Sequence, residues 1–276
     1  MVKKKVGVLK VIDLNYTLLI LLALILGCKE TPIIIDKDST IQIASISSSI
    51  LDMDVNYSVY LPPSYESGGP FPVLYLLHGY YGNHLDWPRN GMRQIMDREL
   101  NSGNSTEMIV IMPDGMDSFY IDDFDERKLD YEQFFFQEFV PELESKFNIV
   151  KVKTHRGIAG LSMGGYGAIT YGLKYHHLFS FAYSMSGVVF LDEKFENIFE
   201  IVNSKTSTEL TQLPKIFLDC GTEDFLFDSN DYLSNFLTQK NIEHTFIKGI
   251  GAHEWSYWVN SLSIAINEFS TSLLSN

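Results

Sequence analysis

The chain has 276 residues, 45% of them hydrophobic and 13% aromatic, which is enough apolar material for a full core and excludes a disordered polymer. It carries 21 Lys and Arg against 35 Asp and Glu, a net charge of -14. Phosphate binding needs a basic face, so nucleic acid is not an expected partner, and the acidity is read as serving solubility.

In chain order, the first segment is "MVKKKVGVLK", basic, followed by the apolar run "YTLLILLALILG" from Tyr16 to Gly27. That run would be roughly 18 Å long as a helix, short for a bilayer span. Basic, then short apolar, then small is the pattern of a secretory signal. The ending "ILGC" resembles a bacterial lipobox, in which the cysteine after the cut is lipidated. Residues 1–27 are therefore expected to be a lipoprotein-type signal peptide, with Cys28 as the lipidation site. The body of the protein would then be extracytoplasmic, anchored to the cell-envelope membrane. Cleavage there removes four lysines and one aspartate and leaves the mature chain more acidic still. Residues 28–40, ending "KETPIIIDKDST", read as a tether, and residues 41–276 as one domain.

Only two cysteines occur, Cys28 and Cys220. With Cys28 lipidated, Cys220 has no disulfide partner, and its place in "KIFLDCG" makes it a small buried hydrophobe. No Cys or His cluster has metal-ligand spacing, so neither a metal nor a cofactor is expected.

Past the tether, "IQIASISSSI" and "VNYSVYLP" alternate in polarity and predict antiparallel strands. "FPVLYLLHG", "MIVIMPDG", "RGIAGLS", "FSFAYSMSG", "KIFLDCG" and "EHTFIKG" are short apolar runs, several continuously apolar as strands covered on both faces must be. Helical patterns separate them at 85–100, 131–147, 164–176, 229–241 and 255–274. The alternation predicts an α/β fold: a mostly parallel central sheet, antiparallel first strands and helices on both faces. Ligands then bind beyond the carboxyl ends of the strands.

One of those ends carries Gly160-Leu161-Ser162-Met163-Gly164, a Gly-x-Ser-x-Gly sequence between a strand and a helix. A serine on so sharp a turn needs neighbours without side chains, and its hydroxyl would sit at a helix N-terminus. Gly165, Gly167 and Ala168 let that helix approach the sheet. A hydroxyl needs a base. His253, in the Gly-rich loop "GIGAHEWSYW" after the last strand, is the choice. His176 and His177 read as surface residues, His84, His155 and His244 lack a strand-end context, and His78 is too early in the chain. The base needs an acid: Asp224 in "CGTEDFLFD" follows the turn residue Gly221, with Glu223 and Asp228 as alternatives and Asp219 inside the strand as structural. The backbone N–H groups of Met163 and Tyr80 are the expected oxyanion donors.

Six blocks, "LYLLHGYYGNHLDW", "IVIMPDG", "RGIAGLSMGGYGAI", "FSFAYSMSG", "CGTEDFL" and "GAHEWSYW", together resemble the putative-esterase (esterase D) family of α/β-hydrolases. That family includes feruloyl and acetyl-xylan esterases, S-formylglutathione hydrolases and mycolyltransferases. The resemblance covers roughly residues 45–270. It implies an α/β-hydrolase catalytic domain whose triad falls on Ser162, Asp224 and His253, with oxyanion donors on Tyr80 and Met163. An exported member of the family is expected to hydrolyse acetyl or feruloyl esters of carbohydrate through an acyl-enzyme. The rivals are a general carboxylesterase, a thioesterase like S-formylglutathione hydrolase, an acyltransferase and a non-catalytic binding lipoprotein. Phe119 and Tyr120, in the acidic loop "GMDSFYIDDFDERKLDY", are candidates to flank substrate, as is Trp87; Trp87, Trp255 and Trp258 are candidate sugar platforms, although packing is the plainer role for each. Residues 188–213 are polar and acidic and read as a surface excursion, with a cap over the site as the alternative.

Overall fold

In the computed structural model, residues 38–189 and 197–274 are described. Eight strands form one sheet: β1 (Thr40–Ser48), β2 (Met53–Leu61), β3 (Val73–Leu77), β4 (Ile109–Pro113), β5 (Arg156–Leu161), β6 (Phe181–Met185), β7 (Lys215–Gly221) and β8 (His244–Gly249). Their order is β1-β2-β4-β3-β5-β6-β7-β8. β1 and β2 form an antiparallel hairpin in register Thr40 with Leu61 and Ser48 with Met53, and β2 meets β4 antiparallel. From β4 to β8 every pairing is parallel. This is the expected α/β-hydrolase arrangement. The continuously apolar runs are the central strands, and every residue of β3, β4, β5 and β6 is buried.

The alternation of side chains along a strand feeds two cores, one on each sheet face. Val73, Tyr75 and Leu77 join Ile109 and Ile111 on one face, under the helical run 131–146 and α5 (Met163–Lys174). Leu74 and Leu76 join Val110 and Met112 on the other, together with Met92, Ile95 and Met96. Met92, Ile95 and Met96 belong to α2 (Met92–Asn101), which follows the single turn α1 (Asp86–Arg89). The run predicted over 131–147 is one helical stretch in three parts: α3 (Tyr131–Phe134), a wider π turn at Phe135–Phe139, and α4 (Val140–Lys146). Pro141 has no N–H and crowds the preceding turn, which accounts for the widening just before it. α5 (Met163–Lys174) follows β5. α8 (Phe227–Gln239) lies between β7 and β8, and α9 (Trp255–Leu274) closes the chain against α2.

One boundary and one segment differ from expectation. Ser39 is buried, and its hydroxyl donates to Asp97 Oδ2 at 2.8 Å, so the folded body begins before residue 41 and inside the expected tether. Within 188–213, α6 (Ile198–Ser204) and α7 (Ser207–Leu210) are helices that the polar composition concealed. Ile198 and Val202 are buried, and α6 packs on α5. Residues 190–196 lie outside the described part, as do residues 1–37 with the expected signal peptide and Cys28. Among the described residues, no helix is long and apolar enough to cross a membrane.

Candidate active site

The site is assembled at the carboxyl ends of β3, β5, β7 and β8. Ser162 lies between β5 and α5 with φ 53° and ψ -114°, a conformation that a residue with a side chain rarely adopts. Two glycines make it possible by close approach. A Cβ on Gly160 would come within 2.3 Å of the Gly164 carbonyl oxygen, and one on Gly164 within 2.6 Å of the carbonyl oxygens of both Leu77 and His78. These are backbone atoms and cannot swing aside. The turn is held by the Ser162 N–H donating to Met185 O at 2.9 Å, and by its carbonyl accepting from Tyr166 and Val188. A side chain in so constrained a turn points outward, toward the loops after β7 and β8.

Those loops carry the partners. His253 Nε2 lies 3.0 Å from Ser162 Oγ, and His253 Nδ1 lies 2.8 Å from Asp224 Oδ2. Asp224 is fully buried at its side chain, while His253 keeps a small exposed edge. The two loops are laced together: Thr222 N–H donates to Gly249 O and Glu223 N–H to Gly251 O, and a Cβ on Gly221 would strike Gly251 O at 2.1 Å. The acid and the imidazole are thus set by one backbone unit. Burial works against a charge on Asp224, but hydrogen bonds from His253, from the Leu226 N–H and from Ser186 more than offset it. Its carboxyl is held below the ordinary carboxylate range. Glu223 and Asp228 are exposed and take no part in this chain of contacts.

Asp219 is buried, accepts from the Tyr183 and Tyr257 hydroxyls, and is structural as expected. Cys220 is buried, and burial pushes its thiol up to about 12.

On the other side of Ser162, the loop after β3 comes close. A Cβ on Gly79 would lie 3.4 Å from Ser162 Cβ. Tyr80 follows, and Met163 begins α5, where a first-turn N–H has no partner inside the helix. His78 organises this loop. Its Nε2 accepts from the Gly115 N–H at 2.6 Å, so its ring hydrogen is on Nδ1 and is donated to Gly79 O at 2.7 Å. Sequence order set His78 aside as a base, and its bonds show a structural task instead.

Two of the expected substrate-flanking residues are displaced from that role. Tyr120 is wholly buried and its hydroxyl donates to His78 O at 3.0 Å. Trp87 is buried, donates from Nε1 to Leu77 O at 3.1 Å and packs edge-on against Trp255. Both are walls behind the loop after β3, because each has a polar atom that finds its partner only inward. Phe119 is half-buried and sits against Tyr80, with ring centroids 5.5 Å apart.

Two contacting residues, Ser186 and Phe225, were not singled out for the site from sequence, and Trp258, read there mainly as packing, joins them. Ser186, with φ 48°, accepts from Trp258 Nε1 at 3.1 Å. An indole N–H can only donate, so the Ser186 hydroxyl hydrogen is free to go to the Asp224 carboxylate. Trp258 also meets the His253 ring edge-on at 4.8 Å. Phe225, 78% exposed, has its ring 4.7 Å from that imidazole. Ser186 follows β6 directly, so the placement of ligands beyond the carboxyl ends of the strands reaches it too.

A family model described as putative esterase matches residues 48–269. The chain belongs to that esterase family. It is 30% identical to an acetyl esterase of Caldicellulosiruptor saccharolyticus over 67% of this chain and 78% of that protein. It is 31% identical to the esterase Rv1288 of Mycobacterium tuberculosis over 58% of this chain, and spans only 35% of that longer relative. A solved ferulic acid esterase superposes with a TM-score of 0.79 at 29% identity, over 86% of this chain and all of the other. The esterase is thus a carboxylic ester hydrolase on an α/β-hydrolase sheet. Among its described residues no group of three or more His, Cys, Asp or Glu could hold a metal ion.

Proposed function

We propose that Ser162, His253 and Asp224 are the catalytic triad of an exported serine esterase. The observation that carries this is the continuous path from Ser162 Oγ through His253 to Asp224, at 3.0 and 2.8 Å, on a strained serine turn. Ser162 Oγ attacks the ester carbonyl while His253 Nε2 takes its proton. Asp224 holds Nδ1 and stabilises the imidazolium. The tetrahedral oxyanion is received by the N–H groups of Met163 and Tyr80. His253 then returns the proton to the departing alcohol, which leaves an acyl-serine. A water deprotonated by the same imidazole releases the acid and restores the hydroxyl.

The substrates of this reading are acetyl or feruloyl esters of carbohydrate. Two relatives support it by name, an acetyl esterase and a ferulic acid esterase. The test is turnover of acetylated xylan, methyl ferulate and S-formylglutathione side by side. One of the first two should exceed the thioester in kcat/KM. Preference for S-formylglutathione would replace the reading with a thioesterase, and acyl transfer to an added sugar in excess of acid release would replace it with an acyltransferase.

The export reading rests on the N-terminal pattern ending "ILGC". Labelled palmitate should enter the wild-type chain in a bacterial host and not Cys28→Ala. An unlabelled wild-type chain would remove the anchor from the account.

A further inference from the structure

One group of residues next to the site is not used by the triad. Tyr81 is 87% exposed and Tyr80 is 42% exposed, a large aromatic surface to leave in water. Their rings meet at 4.5 Å, Tyr80 continues onto Phe119 at 5.5 Å, and Phe119 onto Phe124 at 4.5 Å. The result is a continuous aromatic shelf rather than scattered rings. Its backbone is costly. Tyr81 has φ 62° and Phe119 φ 53°, left-handed conformations that are outliers for bulky residues. The Tyr81 strain is held by a bond from its N–H to Asp117 Oδ1 at 2.6 Å. Strain kept in place by a carboxylate, with the side chain presented to solvent, is a property of binding loops.

The shelf starts beside the nucleophile. Gly79 abuts Ser162, and Tyr81 is two residues on, at most roughly 8 Å of chain away. Its rim is charged. Asp125 and Arg127 form an exposed ion pair, and burial together with the Asp117 and Asp125 carboxylates pushes the Tyr80 hydroxyl up.

We infer that Tyr81 and Tyr80 are a stacking subsite for a sugar ring of the ester's alcohol portion. A sugar ring has an apolar C–H face that lies on the electron-rich face of an aromatic ring. Its edge carries hydroxyls that donate to carboxylates and accept from a guanidinium, both present on the rim. The openness of the shelf favours this occupant over the aryl ring of the acid. A small planar acid is held best in an enclosed slot that covers most of its surface, whereas a sugar within a longer chain needs one face only.

The inference deepens the esterase reading and rests on it, so the experiment separates the two. Ser162→Ala tests the reading alone. Tyr81→Ala and Tyr81→Trp test the subsite, with kcat and KM measured on acetylated xylo-oligosaccharides, p-nitrophenyl acetate and methyl ferulate. Tyr81→Ala should lower kcat/KM on the oligosaccharides about tenfold more than on p-nitrophenyl acetate, mainly through KM, and Tyr81→Trp should restore most of it. Calorimetry in the Ser162→Ala background should show the matching loss of oligosaccharide affinity in the Ser162→Ala/Tyr81→Ala double variant. Equal losses on all three substrates, or none, would overturn the subsite. A loss confined to methyl ferulate would also overturn it and hand the shelf to the aryl acid.

Discussion

Ser162→Ala is expected to lower p-nitrophenol release from p-nitrophenyl acetate by a factor on the order of 10⁶ in kcat, the scale seen when the nucleophile of a serine triad is removed. The reason is that the remaining parts act only through Oγ. Among the described residues the hydroxyl that His253 Nε2 meets, at 3.0 Å, is that of Ser162, and without it the proposed oxyanion donors have no tetrahedral intermediate to receive. The substitution keeps a Cβ, so the strain at φ 53° is unchanged and the thermal midpoint should stay close to that of the wild type. A folded Ser162→Ala protein that still hydrolyses the ester at the wild-type rate would end the triad reading.

Asp224→Asn should cost roughly 10⁴-fold in kcat, because an amide can donate to Nδ1 and so select the wrong imidazole tautomer. Asp228→Asn should change kcat little, since Asp228 is exposed in the first turn of α8 and has no place in the path to His253. The comparison isolates the acid, because both residues lie in the same nine-residue stretch and carry the same chemistry. A reversed order of effects would move the assignment to Asp228. The depressed carboxyl of Asp224 also has a stability consequence. Its folded value lies below the ordinary 3.8, so its contribution is fully present above that pH and is lost as pH falls through the folded value. Asp224→Asn should therefore flatten the fall in urea midpoint between neutral and acid pH. An unchanged slope would contradict the shift.

Much of the site was open to local reasoning. Ser162 was legible because Gly160 and Gly164 are required by contacts within a few residues of it or with the adjacent strand β3. His253 and Asp224 were legible because a parallel sheet places its functional loops after the strands, and each follows one closely. Even α7, not anticipated in the polar stretch, has a local signature: Thr206 and Glu209 form a reciprocal capping box, which the spacing of a Thr and a Glu three residues apart encodes.

Tyr120 and Phe119 show where local reasoning stopped. They are neighbours of the same character in the same acidic loop, yet Tyr120 is fully buried on His78 while Phe119 reaches the shelf. Consecutive residues in left-handed conformations at 119 and 120 set these directions, and no periodicity marks them. Ser186 and Trp258 are 72 residues apart, and only the folding of α9 beside the end of β6 brings the indole to the hydroxyl that contacts Asp224.

The sequence by itself determined the eight strands, the five longer helical stretches, the serine turn and the residue classes that could complete it, because those depend on polarity period and on steric limits of neighbouring residues. Only the tertiary structure decided which carboxylate meets His253, which aromatics are wall and which are surface, and that β3 lies between β4 and β5. Those outcomes depend on contacts between distant segments, where several residues of the same type compete and only packing selects among them.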